Sequence, residues 1–209
     1  MDSADGDRIA NREMRVLGGA PRIDPLTDDA AVERAIRITQ EVRKAVGSTK
    51  PVTAADVPEF MTTMLRHPDL FQRIADLSMQ TQGKGALAPR DRQLAILRVT
   101  WLCQAPYAWG EHVKHSRRIG ITRDEIERVT LGSSAPGWTS EDSAILRAVE
   151  ELHEEAMISD GTWAALSARL DERQLIELPV LVGQFTMVPY VQNTLRMRLD
   201  KDNVGLRAR

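Results

Sequence analysis

Three prolines organise this chain. Pro68, Pro89 and Pro106 each stand at the head of a run of apolar residues with helical spacing. Proline lacks an N–H and is tolerated in a helix mainly in the first turn, so each marks a start. After Pro68, Leu70, Phe71, Ile74 and Leu77 predict one buried helix face. After Pro89, Leu94, Leu97, Val99, Trp101 and Leu102 predict a helix that runs through the interior. The helix that begins at Pro106 should close at Gly120.

The rest of the chain repeats the pattern. Thr27 or Asp28 caps a run in which Val32, Ile36, Ile38, Val42 and Val46 keep helical spacing. Thr122 and Glu125 form a capping box, and EDSAILRAVEELHEEA is amphipathic. In the last long run Pro179 should kink the helix, and Pro189 should kink or end it. No run alternates with the period of a strand, so the fold class is all-α, with about eight to ten helices. Residues 1–26 hold Gly18, Gly19, Pro21 and Pro25 and little periodicity. They are expected to be an extended arm, disordered or lying across a partner subunit, ahead of a single all-α domain over 27–209.

Charge and cysteine content narrow the function classes. With 28 Lys and Arg against 30 Asp and Glu, the net charge of −2 offers no electrostatic footprint for nucleic acid. No apolar run approaches the ~18 residues that a membrane helix needs. The acidic, polar start MDSADGDRIANREMRVLGG is unlike a secretory signal. Neither nucleic acid nor membrane is expected as a partner, and a cytoplasmic location is expected. The single cysteine, Cys103, excludes an internal disulfide framework.

Chemistry concentrates in WLCQAPYAWGEHVKHS, residues 101–116. On a helix from Pro106, Tyr107, Glu111 and His115 are spaced i, i+4, i+8 and share a face, with His112 and His115 one turn apart. A carboxylate beside imidazoles under aromatic walls suits proton transfer in a pocket for a small organic substrate. Plainer readings exist for each residue. Trp101, Trp109 and His112 could be core, His115 a solvated neighbour of Lys114, Arg117 and Arg118, and Cys103 a small core residue. His112-x-x-His115 lacks a third ligand at a diagnostic offset, so no metal is expected.

The segment APRDRQLAILRVTWLCQAPYAWGEHVKHSRRIGITRDEIERV resembles the central region of the carboxymuconolactone decarboxylase family, which includes alkylhydroperoxidase D-like proteins. The shared pattern is Pro-Arg at a helix start, an apolar helix, a small-residue turn, Tyr-x-Trp-x-x-His, then Gly-Ile-Thr and an acidic helix. DERQLIELPVLVGQFTMVPYVQNTL is similar to the family's C-terminal helix, which extends the likeness over roughly residues 55–200. The resemblance implies the alkylhydroperoxidase D-like helical fold and self-association as a dimer, trimer or hexamer. Redox members carry Cys-x-x-Cys, with a histidine four residues after the second cysteine and a glutamate upstream. Aligning that histidine with His112 puts Ala105 and Ala108 at the cysteine positions and Gln93 at the glutamate position. Cys103 lies two residues before the first cysteine position, so a two-thiol peroxidase cycle has no residues here.

The resemblance therefore implies the decarboxylase-like branch, with no cofactor: an acid–base enzyme of lyase or isomerase type. Its substrate would be a small carboxylate or lactone of aromatic-compound catabolism. His112 is the expected acid or base, and Glu111 its orienting partner or second base. Gln93 and Arg98 are expected to bind a substrate carboxylate or carbonyl, and Trp101, Tyr107 and Trp109 to wall the pocket. Cys103 and His115 are expected at its edge. The alternatives are a single-cysteine peroxidase or thiol reductase using Cys103, and a non-catalytic helical oligomer that binds a small ligand.

Overall fold

In the computed structural model, which describes residues 3–45 and 49–209, the chain folds into helices joined by short loops, with no strand among those residues. The helices are α1 (Ser3–Leu17), α2 (Asp29–Ala45), α3 (Glu59–Met64), α4 (Pro68–Ser78), α5 (Pro89–Leu102), α6 (Pro106–Arg118), α7 (Arg123–Leu131), α8 (Ser140–Glu155), α9 (Asp160–Ser167) and α10 (Glu172–Leu195). The three prolines stand at N1 of α4, α5 and α6 as expected. The Thr122–Glu125 capping box opens α7, and Asp28 rather than Thr27 caps α2, its Oδ1 accepting from Ala31 N. No described helix is long and apolar enough to cross a membrane.

The all-α fold is organised around α5, which packs against α6, α7, α8 and α10. Leu94, Ala95, Ile96, Leu97 and Val99 are all fully buried, so α5 has no solvent face to keep polar. Ile145, Leu146, Ala148 and Val149 of α8 meet it from one side, and Leu178, Leu181, Val182 and Phe185 of α10 from another. A second, smaller cluster joins Ala35 and Ile38 of α2 to Met64, Leu65, Phe71 and Ala75 around α3 and α4. It roofs the space beside α6 and α10, and there the cavity described below lies.

Three charged residues of α5 bond outward to the helices around it. Arg90 chelates both carboxylate oxygens of Asp142 at 3.0 and 2.8 Å and reaches Glu125 at 2.5 Å. Asp91 receives both Nη atoms of Arg169. Arg98 donates to Glu150 at 2.8 Å and to the carbonyls of Val129 and Thr130 at the end of α7. Asp91 and Arg98 are buried charged groups, and they stay in the fold because each has found its partners.

Some expectations are corrected. Residues 3–17 are a helix, not an extended arm, and α1 lies on its own chain, burying Ile9 and Val16. Its anchors are polar: Arg12 donates to the carbonyls of Cys103 and Gln104, and Glu13 Oε1 accepts from Leu206 N. With two buried apolar residues and partners about ninety or more positions away, its periodicity is too weak to read locally. Residues 18–26 do run without helix. Leu70, placed on the buried face of α4, is 48% exposed, and only Phe71 and Ala75 of that helix are fully inside. Pro189 does not end α10, which passes through both prolines and stops at left-handed Arg196. Val46 lies outside the described residues.

Arg98→Ala leaves Glu150 half-buried without its cation and two helix-end carbonyls without their donor. A loss of about 3 kcal/mol in unfolding free energy is expected, measured by urea titration. A loss below 1 kcal/mol would show that this ion pair does not hold α5 to α7 and α8.

Candidate active site

The cavity has a volume of about 310 Å³ and lies between α6 and α10 on one side and the α2–α4 cluster on the other. Its apolar walls are Phe60 and Met61 of α3, Phe71 and Ile74 of α4, and Phe185 and Val188 of α10. Tyr107, Glu111, His112, His115 and Arg118 of α6 supply most of its ionisable groups. The i, i+4, i+8 spacing thus brings Tyr107, Glu111 and His115 to one cavity as expected, with His112 between them.

His112 is the best-oriented group. Gln93 Oε1 accepts from Ser116 Oγ at 3.2 Å and lies 3.1 Å from His112 Nδ1. An amide oxygen can only accept, so Nδ1 carries the proton and Nε2 keeps its lone pair. The Phe185 ring meets the imidazole edge-on at 4.9 Å. Burial, with a further push from His115, lowers the His112 pKa to about 3. His115 is lowered in the same direction by burial, Arg118 and Arg92. At neutral pH the cavity therefore holds two uncharged imidazoles.

The other end is acidic. Tyr107 donates to Asp200 Oδ2 at 2.9 Å, and burial holds the phenol proton on Tyr107 far above its usual range. Glu111 is bound by Lys114 Nζ at 2.6 Å and by Asn203 Nδ2 at 3.0 Å. Asn203 also donates to Tyr107 O and accepts from Gly205 N, which locks the tail segment onto α6. Gly110 makes this possible, because a Cβ there would overlap Asn203 Oδ1.

Several expected site residues lie elsewhere. Arg98 is spent on Glu150 and the end of α7 and does not line the cavity. Trp109 is fully buried with its Nε1 donating to Ala208 O, and Trp101 packs against it at 4.9 Å with the rings tilted 54°, both on the core side of α6. Gln93 is 1% exposed and reaches the cavity only through His112, so it positions the imidazole instead of binding substrate. Cys103 sits at the α5–α6 turn off the cavity, and burial pushes its thiol up to about 11. Ala108 does line the cavity, putting a methyl group where the redox pattern has its second cysteine. Asp200, Arg118, Gln184, Gln192 and Phe185 were not anticipated. Asp200 lies beyond the last helix in a stretch with no periodicity, so no local signal marks it.

Comparison with known proteins agrees with this architecture. Residues 68–151 match the Carboxymuconolactone decarboxylase family. Over those residues the chain is similar to that family. Among solved structures it is similar to an uncharacterized peroxidase-related protein of Ralstonia eutropha with an alkylhydroperoxidase AhpD core. That match has 16% identity and a TM-score of 0.67 and covers 88% of this chain and 95% of that one. It is also similar to the debrominase Bmp8 in complex with 2,3,4-tribromopyrrole, at 12% identity and a TM-score of 0.70, covering 88% and 95%. A peroxidase-related protein of Silicibacter matches at 13% identity and a TM-score of 0.69, covering 87% and 94%. At these identities the structures share the fold. No curated protein matches the chain.

The buried imidazole makes stability depend on pH with a definite sign. The unfolded chain protonates His112 near the ordinary value of about 6.5, whereas the folded chain resists until about 3. Between those values the unfolded state binds more protons, so native stability is full above the upper value and falls as pH drops toward the lower one. His112→Gln removes this contribution, and the urea midpoint should fall less steeply from about pH 6 to pH 4 than in the wild type. Equal slopes would show that His112 is not held neutral.

Proposed function

We propose that this chain is a cofactor-free acid–base enzyme of lyase or isomerase type that acts on a small ring compound bearing a carboxylate or lactone. The observation that carries the reading is His112 on the cavity wall, with Nδ1 fixed by Gln93 and the lone pair of Nε2 left for a substrate proton. A neutral imidazole in an apolar cavity gains a proton most readily when negative charge develops beside it. Removing a proton from a carbon next to a carbonyl creates that charge as the enolate forms. Arg118 and His115 at the same wall would meet an anionic substituent. The walls of Phe60, Phe71 and Phe185 suit a flat ring, and the tribromopyrrole complex of the debrominase shows a small-ring ligand on this fold.

The family match over residues 68–151 supports a catalytic role, and the decarboxylase-like pattern supports a place in aromatic-compound catabolism. The thiol reading gains nothing from the geometry, since Cys103 is off the cavity and held protonated.

The test is a panel of unsaturated ring lactones, their carboxylates and enolisable ring ketones in deuterated water, followed by NMR for carbon–hydrogen exchange, isomerisation or carbon dioxide release. The wild type is expected to turn over at least one class, and His112→Gln to lose about 100-fold or more of that rate. Full activity in His112→Gln would overturn the reading. Nitrogen-15 NMR of the wild type should show His112 as the neutral Nδ1–H form at pH 7, and Gln93→Leu should mix the two tautomers.

A further inference from the structure

A neutral base takes a proton, but decarboxylation or isomerisation must also deliver one, and His112 holds none to give on the cavity side. The acid end of the cavity holds two carboxylates, Glu111 and Asp200, and the exposed Glu59 beside it also acts on Asp200. Lys114 is bound to Glu111 and acts on Asp200 only at longer range. Glu111 also receives Asn203 Nδ2, so it has both a cation and an amide donor. Asp200 is half-buried on the cavity wall, and among the described residues its one side-chain hydrogen-bond donor is the uncharged Tyr107 hydroxyl, on Oδ2. Among the described residues no cation pairs with Asp200, so a second full charge there would stand beside Glu111 alone.

We propose that Asp200 is the acid of this cavity: a carboxyl group that keeps its proton on Oδ1, is oriented through Oδ2 by Tyr107, and donates to the substrate across from His112. The inference rests on the acid–base reading above. In an isomerisation, His112 Nε2 removes a proton from ring carbon, and the C–H electron pair moves into the conjugated system. The remote carbon or carbonyl oxygen takes the Oδ1 proton of Asp200. The substrate neither gains nor loses atoms, and water returns the proton from His112 to Asp200. In a decarboxylation, the pair of the breaking C–C bond moves into the enolate, Asp200 protonates its carbon, and solvent replaces that proton. Burial, reinforced by Glu111 and Glu59 and opposed by Tyr107 and Lys114, raises the Asp200 pKa, which is the direction an acid needs.

Infrared difference titration of aspartate-labelled protein decides the matter without a substrate. A protonated carboxyl band should persist above the ordinary carboxylate range in the wild type and vanish in Asp200→Asn. Glu111→Gln should lower its midpoint by removing a negative neighbour and releasing Lys114. Tyr107→Phe should raise it by removing a donor that favours the anion. A carboxyl that merely braces the tail would show an ordinary midpoint unmoved by either change, and that result overturns the proposal. In the exchange assay Asp200→Asn should lose about 100-fold while the His112 tautomer signal stays intact. Full exchange in Asp200→Asn overturns the acid role and leaves the base standing. Full exchange in His112→Gln overturns the base whatever Asp200 does. If Asp200→Asn fails to fold, the opposite shifts in Glu111→Gln and Tyr107→Phe still decide.

Discussion

Everything in this fold follows from the burial of α5 on all sides. Over the central turns of α5 there is no solvent face, and an unpaired buried polar group there costs as much as several good contacts return. Arg90, Asp91, Gln93 and Arg98 therefore each reach a partner on a neighbouring element. The first, second and fourth bond to Glu125, Asp142, Arg169 and Glu150 and hold α7, α8 and the segment after α9 in place. Gln93 instead bonds to α6, and in doing so sets the tautomer of His112. The same requirement that stabilises the core thus aims the reactive nitrogen.

The cavity is asymmetric because it forms where two clusters of different origin meet. The main core supplies α6 and α10, whose groups are fixed by long-range hydrogen bonds. Examples are Gln184 with Ser78 and Thr81, and Asn203 with Tyr107 and Glu111. The α2–α4 cluster supplies a roof of aromatic and aliphatic side chains. Low polarity overhead keeps both imidazoles neutral and pushes Asp200 toward its protonated form. One environment thus moves an imidazole and a carboxyl in opposite directions, and both shifts favour the uncharged form.

Legibility in the sequence was uneven for reasons of geometry. Tyr107, Glu111, His112 and His115 were read as neighbours because helical spacing settles which residues share a face of α6. Which face meets the core is a matter of packing, and Trp109, two residues past Tyr107, turned inward to Ala208 and Trp101. Gln93 and Arg98 look adjacent on paper, but five residues on a helix turn their side chains roughly 140° apart. One meets α6 and the other α7 and α8. Cys103 is the one thiol in the sequence, and only its burial in the fold shows that its pKa is pushed up.

By itself the sequence determined the helical class, the helix starts at Pro68, Pro89 and Pro106, the buried run of α5 and the set of α6 residues that share a face. These are local properties, written in proline placement and periodicity. It also determined that the redox pattern is missing, since Ala105 and Ala108 are plain in the primary structure. Only the tertiary structure decided that residues 3–17 form a helix docked on the tail, that Gln93 serves His112, and that Asp200 joins Tyr107 across 93 positions. Those outcomes depend on contacts between distant segments, and no local propensity or spacing encodes which distant groups will meet.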